Sequence, residues 1–291
     1  MGEGGAGVLA GSLAVADVAV IRGLFFRYLR GRLTGFMAGA VAMCLFAQPA
    51  AAYRPFDGTD AGVTNLNEVE IELQPAGGLK AGSQSTLIAP EVVYNYGFAE
   101  RWEMVLQTQL ETPLSPTGPS SLAASGAFLK YVIQPGVLQG QSGVSIATEF
   151  GPLLPGVNAD PGVGFSWAGI VSQRWDWGTA HFNVEANLTR DQHGEGFFGV
   201  ILEGPAKWTV RPVVELFYDK VWMETETRSA LVGAIWQVKD DLAFDAAFRY
   251  ALVNGHAVNE IRAGLTFAFK VEGDKTPARP GATFSNWGLS R

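Results

Sequence analysis

Hydrophobic and polar residues alternate one by one along most of the chain from about residue 66 onward. In residues 101–111, apolar side chains occupy every second position, and only Val105 interrupts the polar positions between them. The same alternation returns in residues 181–188, 242–250 and 260–270. A period of two is typical of a β-strand with one apolar and one polar face. The pattern therefore predicts an all-β protein in which helices are nearly absent.

Segments of this kind can be delimited along the chain at regular intervals. The predicted strands cover residues 66–73, 85–96, 101–111, 121–133, 142–150, 162–175, 179–190, 196–203, 207–218, 226–238, 241–251 and 258–270. An even number of antiparallel strands, each of about 9–11 residues, is what a bacterial barrel needs to cross a bilayer. Closure into a ring also removes the unpaired edges that lipid does not tolerate. We therefore predict a single antiparallel transmembrane β-barrel of about 12 strands.

The predicted connections and the aromatic residues indicate two different rims. Tight turns are expected after strands two, six, eight and ten, and longer proline-rich or charged loops after strands three, five, seven, nine and eleven. Connection 134–141, after strand four, is longer than this rule predicts. Beside the short turns lie Trp102, Trp175, Trp177, Trp208 and Trp236. Toward the long loops lie Phe150, Tyr218, Trp222 and Tyr250. Two such girdles are typical of a barrel whose rims meet the membrane interfaces.

A soluble lipocalin or β-sandwich shows the same alternation, because its apolar residues face inward and its polar residues face water. Periodicity alone does not separate that alternative from a membrane barrel. The strand lengths and the N-terminal region favour the membrane barrel.

The N-terminal region has the composition of an export signal. Basic residues around Arg27 and Arg32 precede the charge-free stretch 33–47, and small residues follow at 50–52. This order is typical of a secretory signal peptide, and the apolar stretch is shorter than the roughly 20 residues of a spanning helix. We expect residues 1–52 to form an extension and signal peptide that is removed, residues 53–270 the barrel, and residues 271–291 a polar tail. A helix that stays as an anchor is the alternative.

Composition excludes several classes of function. Charged residues make up only 17% of the chain and there are 36 glycines, as in a β or membrane protein. The formal net charge of -7 and the absence of a basic patch argue against a nucleic-acid partner. With one cysteine and three histidines, we expect no metal site and no cofactor. Gly164–Ala168 nearly spells a nucleophile motif but lies inside a strand, so we expect no catalytic residue and no enzyme activity.

Turning the polar face of the strands inward places charges of both signs in the lumen. The candidate lumen-lining residues are Glu70, Glu91, Glu103, Glu149, Glu185, Arg211, Glu215, Arg249 and Arg262. Because an isolated ion beside a low-dielectric wall is costly, we expect these charges to pair. The acidic side chains of the first three strands are expected to face the basic ones across the seam between first and last strand. Such pairs would either set selectivity or form an electrostatic plug that stiffens the barrel.

Part of the chain resembles a known family. Residues 53–62, YRPFDGTDAG, followed by the strand NEVEIEL and by LIAPEVVYNYGFAERWEMVLQ, are similar to bacterial outer-membrane proteins assigned as transporters of the MetA pathway of phenol degradation. The strongest similarity covers residues 53–110, and a weaker one continues to about residue 270. The resemblance implies an outer-membrane barrel that moves small molecules, with aromatic compounds as candidates, and no catalytic residue. The chain departs from a usual barrel ending because it continues to Arg291 after Phe269.

These observations together predict a channel in the outer membrane of a Gram-negative bacterium, for passive uptake or efflux of small, aromatic or hydrophobic molecules. The alternative is a non-conducting barrel with a structural, adhesive or sensing role, and a soluble β protein or barrel enzyme is the third hypothesis. Expected partners are the lipid bilayer, lipopolysaccharide, the barrel assembly machinery and a small solute, and no nucleic acid.

Overall fold

The computed structural model describes residues 54–271. The predicted signal peptide and its cleavage site before Tyr53 lie outside the described residues, as does the tail from residue 272. The strands are β1 Glu68–Ala81, β2 Gln84–Ala99, β3 Trp102–Ser115, β4 Ser121–Gln134, β5 Ser145–Leu153, β6 Gly164–Trp175, β7 Gly178–Leu188, β8 Gly194–Glu203, β9 Val210–Val221, β10 Thr225–Lys239, β11 Leu242–Val253 and β12 His256–Lys270. A 3-10 turn at Val137–Gln139 interrupts the connection between β4 and β5. Across residues 54–271, helices long and apolar enough to cross a bilayer are absent.

The strands form a closed ring in sequence order. Each strand pairs antiparallel with its sequence neighbours, and β1 also pairs with β12, from Glu68 opposite Lys270 to Ala81 opposite Val258. All described strands therefore have both edges paired, which satisfies the backbone hydrogen bonds that lipid cannot. The predicted closed barrel of 12 antiparallel strands is confirmed.

The largest difference from the predicted boundaries concerns β1. The alternation was expected to end at residue 73, but the strand continues to Ala81 because its register shifts between Leu73 and Ala76, around Pro75. A bulge of this kind accommodates a proline, which cannot donate to the ladder, and lets the pairing resume beyond it. The bulge also changes which residues face inward. Glu72, before the bulge, lines the lumen at an even-numbered position, whereas Leu79, after it, lines the lumen at an odd-numbered one.

The predicted difference between short turns and long loops is confirmed for most connections: two-residue turns follow β2, β6 and β10, and longer loops follow β3, β5 and β7. We call the end where β1 begins and β12 ends the terminal rim, and the opposite end the far rim. The connection after β11 is an exception at the far rim, because the strands extend further than expected and leave the two-residue turn Asn254–Gly255. Asn254 and Gly255 both have positive φ, 48° and 80°, as a tight hairpin turn requires. The terminal rim has exceptions too, since connection 204–209 after β8 has six residues and connection 135–144 after β4 has ten.

The outer face of the barrel is an exposed apolar surface. Large apolar side chains on it are typically 40–60% exposed, among them Leu106 at 40%, Phe182 at 42% and Leu216 at 55%. A continuous apolar surface of this extent is not stable in water, whereas lipid tails cover it. Charged residues such as Glu103 and Glu215 are buried inside instead. The soluble-barrel alternative, which needs the apolar face inside, is therefore wrong.

Aromatic side chains mark both ends of this surface. Trp175, Trp177, Trp208 and Trp236 are exposed near the terminal rim, and the rings of Trp175 and Trp177 stack with centroids 5.2 Å apart. Tyr218, Trp222 and Tyr250 are exposed toward the far rim. This arrangement fits aromatic side chains at two membrane interfaces.

Candidate functional site: the barrel lumen

The structure places every charged residue assigned to the lumen on the inner face of its strand. The cavity inside the barrel is lined by Glu91, Glu103, Glu149, Glu185, Arg249 and Arg262. The remaining residues of that set, Glu70, Arg211 and Glu215, are buried. Their role in selectivity stays a prediction.

Residues 54–67, which we call the inner segment, lead into β1, and all but the exposed Leu66 and the adjoining Asn67 lie inside the barrel. The Glu215 carboxylate on β9 accepts hydrogen bonds from the backbone N–H groups of Asp57, at 2.9 Å, and Gly58, at 2.7 Å. The Asn183 side chain on β7 pairs with the Thr59 backbone, accepting from its N–H at 3.0 Å and donating to its carbonyl at 2.9 Å. The Ala61 N–H donates to Ser172 Oγ on β6 at 2.9 Å. The segment pairs with none of the described strands along this stretch, so side chains of the barrel wall form the hydrogen bonds that its buried backbone groups need.

Arginine side chains hold the beginning of the inner segment. Arg262 donates to the Pro55 carbonyl at 2.8 Å and to the Asp57 carboxylate at 2.9 Å. The same guanidinium, and that of Arg249, bind Glu260, with Nε–O distances of 2.8 and 2.7 Å. Burial by itself would raise the pKa of the Asp57 carboxyl, but Arg262 and Arg249 outweigh burial and hold this pKa below its usual value. The ionised aspartate is therefore an anchor for the segment.

Arg54 lies at the start of the described chain and is itself buried. Its guanidinium donates to Gln74 and lies 3.4 Å from the Glu91 carboxylate and 3.6 Å from the Asp245 carboxylate. Charges from the segment therefore neutralise charges of the wall, as burial in a narrow lumen requires.

The expected pairing across the seam of first and last strand is wrong. Glu91 pairs with Arg54, and Glu103 accepts from the Thr64 backbone N–H. Arg211 pairs with Glu203 at 3.3 Å, while Arg249 and Arg262 pair with Glu260 and Asp57. The inner segment lies between the acidic wall and the basic wall that were expected to face each other. Charged residues of each wall therefore bind the segment or a residue on the same or an adjacent strand.

The terminal half of the lumen is filled. Polar residues that point inward there, including Gln74, Ser145, Ser172, Asn183 and Thr266, are 0% exposed. Burial this complete shows that side chains and the inner segment together exclude solvent from that half.

The long connection between β4 and β5 also contacts the inner segment. Gln139 donates to the Ala61 carbonyl at 2.8 Å, and Leu138 packs against the cluster of Ala61, Ala147 and Ile170. The Leu138 N–H donates to Ser145 Oγ at 3.0 Å. The unexpected length of this connection is explained by this inward contact.

Gly97 is where the inner segment passes closest to the wall. A Cβ at this position would collide with the backbone of Thr64 and Asn65, including the Asn65 carbonyl carbon at 2.6 Å. The segment therefore fits only against a residue without a side chain.

We expect Gly97→Ala to destabilise the folded barrel by about 1–3 kcal/mol, the usual cost of forcing an extra methyl group into a packed site. Gly78→Ala is the matched control, because a Cβ on this β1 glycine meets nothing within 4 Å. Urea unfolding in lipid vesicles, followed by tryptophan fluorescence, measures both variants. Equal stability of the two variants would show that the segment does not lie against Gly97.

The lumen also contains a cavity of about 540 Å³, which we call the chamber. On β3 its lining extends from Glu103, near the terminal rim, to Glu111, toward the far rim. The inner segment contributes to its lining through Arg54, Phe56, Asp57, Gly58 and Thr59. Strands β1 to β8 contribute most of its remaining wall. The chamber is large enough for a small organic molecule.

Sequence reasoning missed the inner segment and its contacts with Asn183, Ser172 and Gln139. Residues 54–67 have no period of two, and their only signal was the family resemblance of YRPFDGTDAG. Glu260 was recognised as polar-facing but not as the shared partner of Arg249 and Arg262.

Within residues 54–271, no group of three or more His, Cys, Asp or Glu side chains could hold a metal ion.

Comparisons with known proteins concern the fold alone. No protein-family model matches the chain, and no curated protein matches it. An outer membrane channel from Pseudomonas putida F1 is similar in structure with a TM-score of 0.50 and 11% identity, over 74% of this chain and 100% of that chain. The KdgM porin in complex with disordered oligogalacturonate gives a TM-score of 0.48 at 10% identity, over 69% of this chain and 99% of that chain. The first of these supports an outer-membrane type of barrel fold for the described residues.

Proposed function

We propose that the protein is a channel for small molecules in the outer membrane of a Gram-negative bacterium. The observation that carries this proposal is the combination of an exposed apolar belt with a charged chamber inside a closed ring. Lipid covers the belt, and the chamber gives solutes a polar environment within the membrane. By the usual orientation of such barrels, the terminal rim faces the periplasm. Lipopolysaccharide and the barrel assembly machinery remain predicted partners.

A second candidate function, a non-conducting structural, adhesive or sensing barrel, is favoured by the filled terminal half of the lumen. If the protein is a channel, the filled terminal half corresponds to a closed state in which the inner segment blocks the passage of solutes. Planar-bilayer recordings of the purified protein test the two. Discrete conductance steps support the channel, and their absence from the native protein and from variants with a disrupted inner segment contradicts it.

Replacing Arg211, Arg249 and Arg262 together by Gln is expected to raise conductance and shift selectivity toward cations. The triple variant removes three positive charges and leaves the carboxylates of Glu203, Glu260 and Asp57 without these partners. It also removes the guanidinium groups that anchor Asp57. The measurement is the reversal potential in a salt gradient, at matched amounts of folded protein. A conducting parent with an unchanged reversal potential in the variant would exclude these residues from selectivity.

The solute class is a finer part of the proposal. The resemblance of residues 53–110 to the MetA pathway family supports small aromatic compounds as candidates. Liposome-swelling assays with neutral aromatic alcohols and with sugars of similar size test this. Equal rates for both sets would leave size alone as the selective property.

A further inference from the structure

The chamber has an apolar wall on its β3–β4 side. Val105 and Phe128 lie opposite each other in the register of these strands, face inward and are 5% and 6% exposed. The Phe128 ring lies over Gly126, where a Cβ would collide with it, so the glycine lets the ring lie against the wall. The two side chains are almost fully covered by their neighbours, so what they offer is a dry edge of the chamber. An apolar ligand group that lies against this edge is stabilised because its own surface leaves water.

Small residues open space next to this wall. On β5 and β6 the inward positions include Gly151, Ser166 and Ala168, and the last two line the chamber. A Cβ at Gly151, the register partner of Ser166, would collide with the backbone of Ala127 and Phe128, so the open space lies at Ser166 and Ala168. A ligand can therefore approach the barrel wall here instead of meeting long side chains.

The next wall, on β7 and β8, carries carboxylates that the protein does not neutralise. Glu185 and Glu195 line the chamber, and within residues 54–271 neither lies within 4.0 Å of a Lys or Arg nitrogen. Glu185 accepts a hydrogen bond from the Asn187 amide at 3.2 Å. Glu195 shares a side-chain hydrogen bond with Asp219, so the carboxyl groups of Glu195 and Asp219 hold one proton between them. Arg190, which also lines the chamber, donates to the carbonyls of Leu154 and Ser125.

Most positive charges of the chamber have carboxylate partners, Arg190 being the exception among the described residues. Arg54 lies beside Glu91 and Asp245, and Arg249 and Arg262 pair with Glu260 and Asp57. Nine Asp and Glu side chains line the chamber against five Lys and Arg side chains. This excess of carboxylates attracts positive solutes and repels anions.

We infer that the chamber is a binding site for amphipathic organic ammonium ions, with the apolar group against Val105 and Phe128 and the ammonium group at Glu185 and Glu195. Three strand spacings of about 4.8 Å separate β4 from β7, and side chains that reach inward from both strands narrow this gap. A phenylalkylammonium ion has the length and the two unlike ends that this arrangement fits. The inference rests on the proposed channel, since it names the solute class that would occupy its lumen.

Isothermal titration calorimetry on the purified protein in detergent tests this inference. We expect 2-phenylethylammonium to bind at least tenfold more tightly than ethylammonium, which lacks the ring, and than 3-phenylpropanoate, which has the opposite charge. The double variant Glu185→Gln/Glu195→Gln is expected to weaken this binding at least tenfold. Glu100→Gln, an exposed carboxylate in the β2–β3 turn, is the control and should bind as the native protein does.

Equal affinity for the ammonium and the carboxylate probe, an unaffected double variant, or no binding to folded protein would each overturn the inference. If the double variant does not fold, Ser166→Leu is used in its place. The leucine fills the space beside Phe128 and leaves the carboxylates unchanged. Native affinity of the Ser166→Leu variant for the ammonium probe would then overturn the inference. Bilayer recordings separate this test from that of the channel. A conducting protein that does not bind the ammonium probe contradicts only the ligand class, and a binding protein that never conducts contradicts only the channel.

Discussion

Replacing Leu106 by Arg is expected to reduce the free energy of unfolding in lipid by about 2–4 kcal/mol, the cost of arginine on the lipid face near the bilayer midplane. Leu106 lies in the middle of β3, Trp102–Ser115, and its side chain is 40% exposed on the apolar outer surface. Urea titration of the protein folded into vesicles of a single phospholipid, followed by tryptophan fluorescence, measures the change.

The neighbouring residue provides the control for this prediction. Gln107 lines the chamber, so an arginine there meets water and carboxylates, and Gln107→Arg is expected to cost far less than Leu106→Arg. A gel-mobility assay before and after boiling gives the folded fraction of each variant. If both variants lose the same stability, the outer surface does not meet lipid.

Deleting residues 54–66 is expected to raise single-channel conductance at least about tenfold, because the narrowest part of a pore governs its current. The deletion removes the backbone groups that Glu215, Asn183 and Ser172 bind, and water can then reach the terminal half of the lumen. Planar-bilayer recordings at matched salt concentration measure the conductance of the native and shortened chains.

A milder variant tests the same prediction if the shortened chain does not fold. Glu215→Ala with Asn183→Ala keeps the segment but removes its side-chain partners on β7 and β9, so we expect frequent opening instead of constant opening. Ser229→Ala is the matched control, since Ser229 is buried on β10 and its hydroxyl has no hydrogen-bond partner among the described residues. Native conductance in both the deletion and the double variant would show that the segment does not close the lumen.

The barrel could be predicted from the sequence because every strand contributes the same local signal. An apolar outer face and a polar inner face produce a period of two that needs no knowledge of long-range contacts. The prediction lost accuracy where a local feature altered that period, as at the bulge around Pro75 and at the Asn254–Gly255 turn. The connection after β11 was predicted to be a long loop for the same reason, since the flanking strands were predicted too short there.

The site could be predicted only in part. Alternation was sufficient to place charged residues such as Glu215 and Arg262 inside, since inward direction follows from position along a strand. Their partners could not be predicted, because Glu215 binds the backbone of Asp57 and Gly58 at a sequence distance of more than 150 residues. Nothing in the local pattern of residues 54–67 indicates that a segment with no period would lie within the ring and separate the two charged walls.

The position of the inner segment also constrains the order in which the protein folds. Within a few residues, the segment contacts β7, β9 and β12, whose partners lie 124, 158 and 205 residues away along the chain. Its docking site therefore does not exist until the last strands have formed, and once β1 has paired with β12 the wall offers no lateral entry. Closing a loop of this length is slow, because its chain entropy is lost before the contacts that compensate it are made. The segment must then be captured as the ring closes or enter afterwards through a rim, and in either case its docking completes the folding of the barrel.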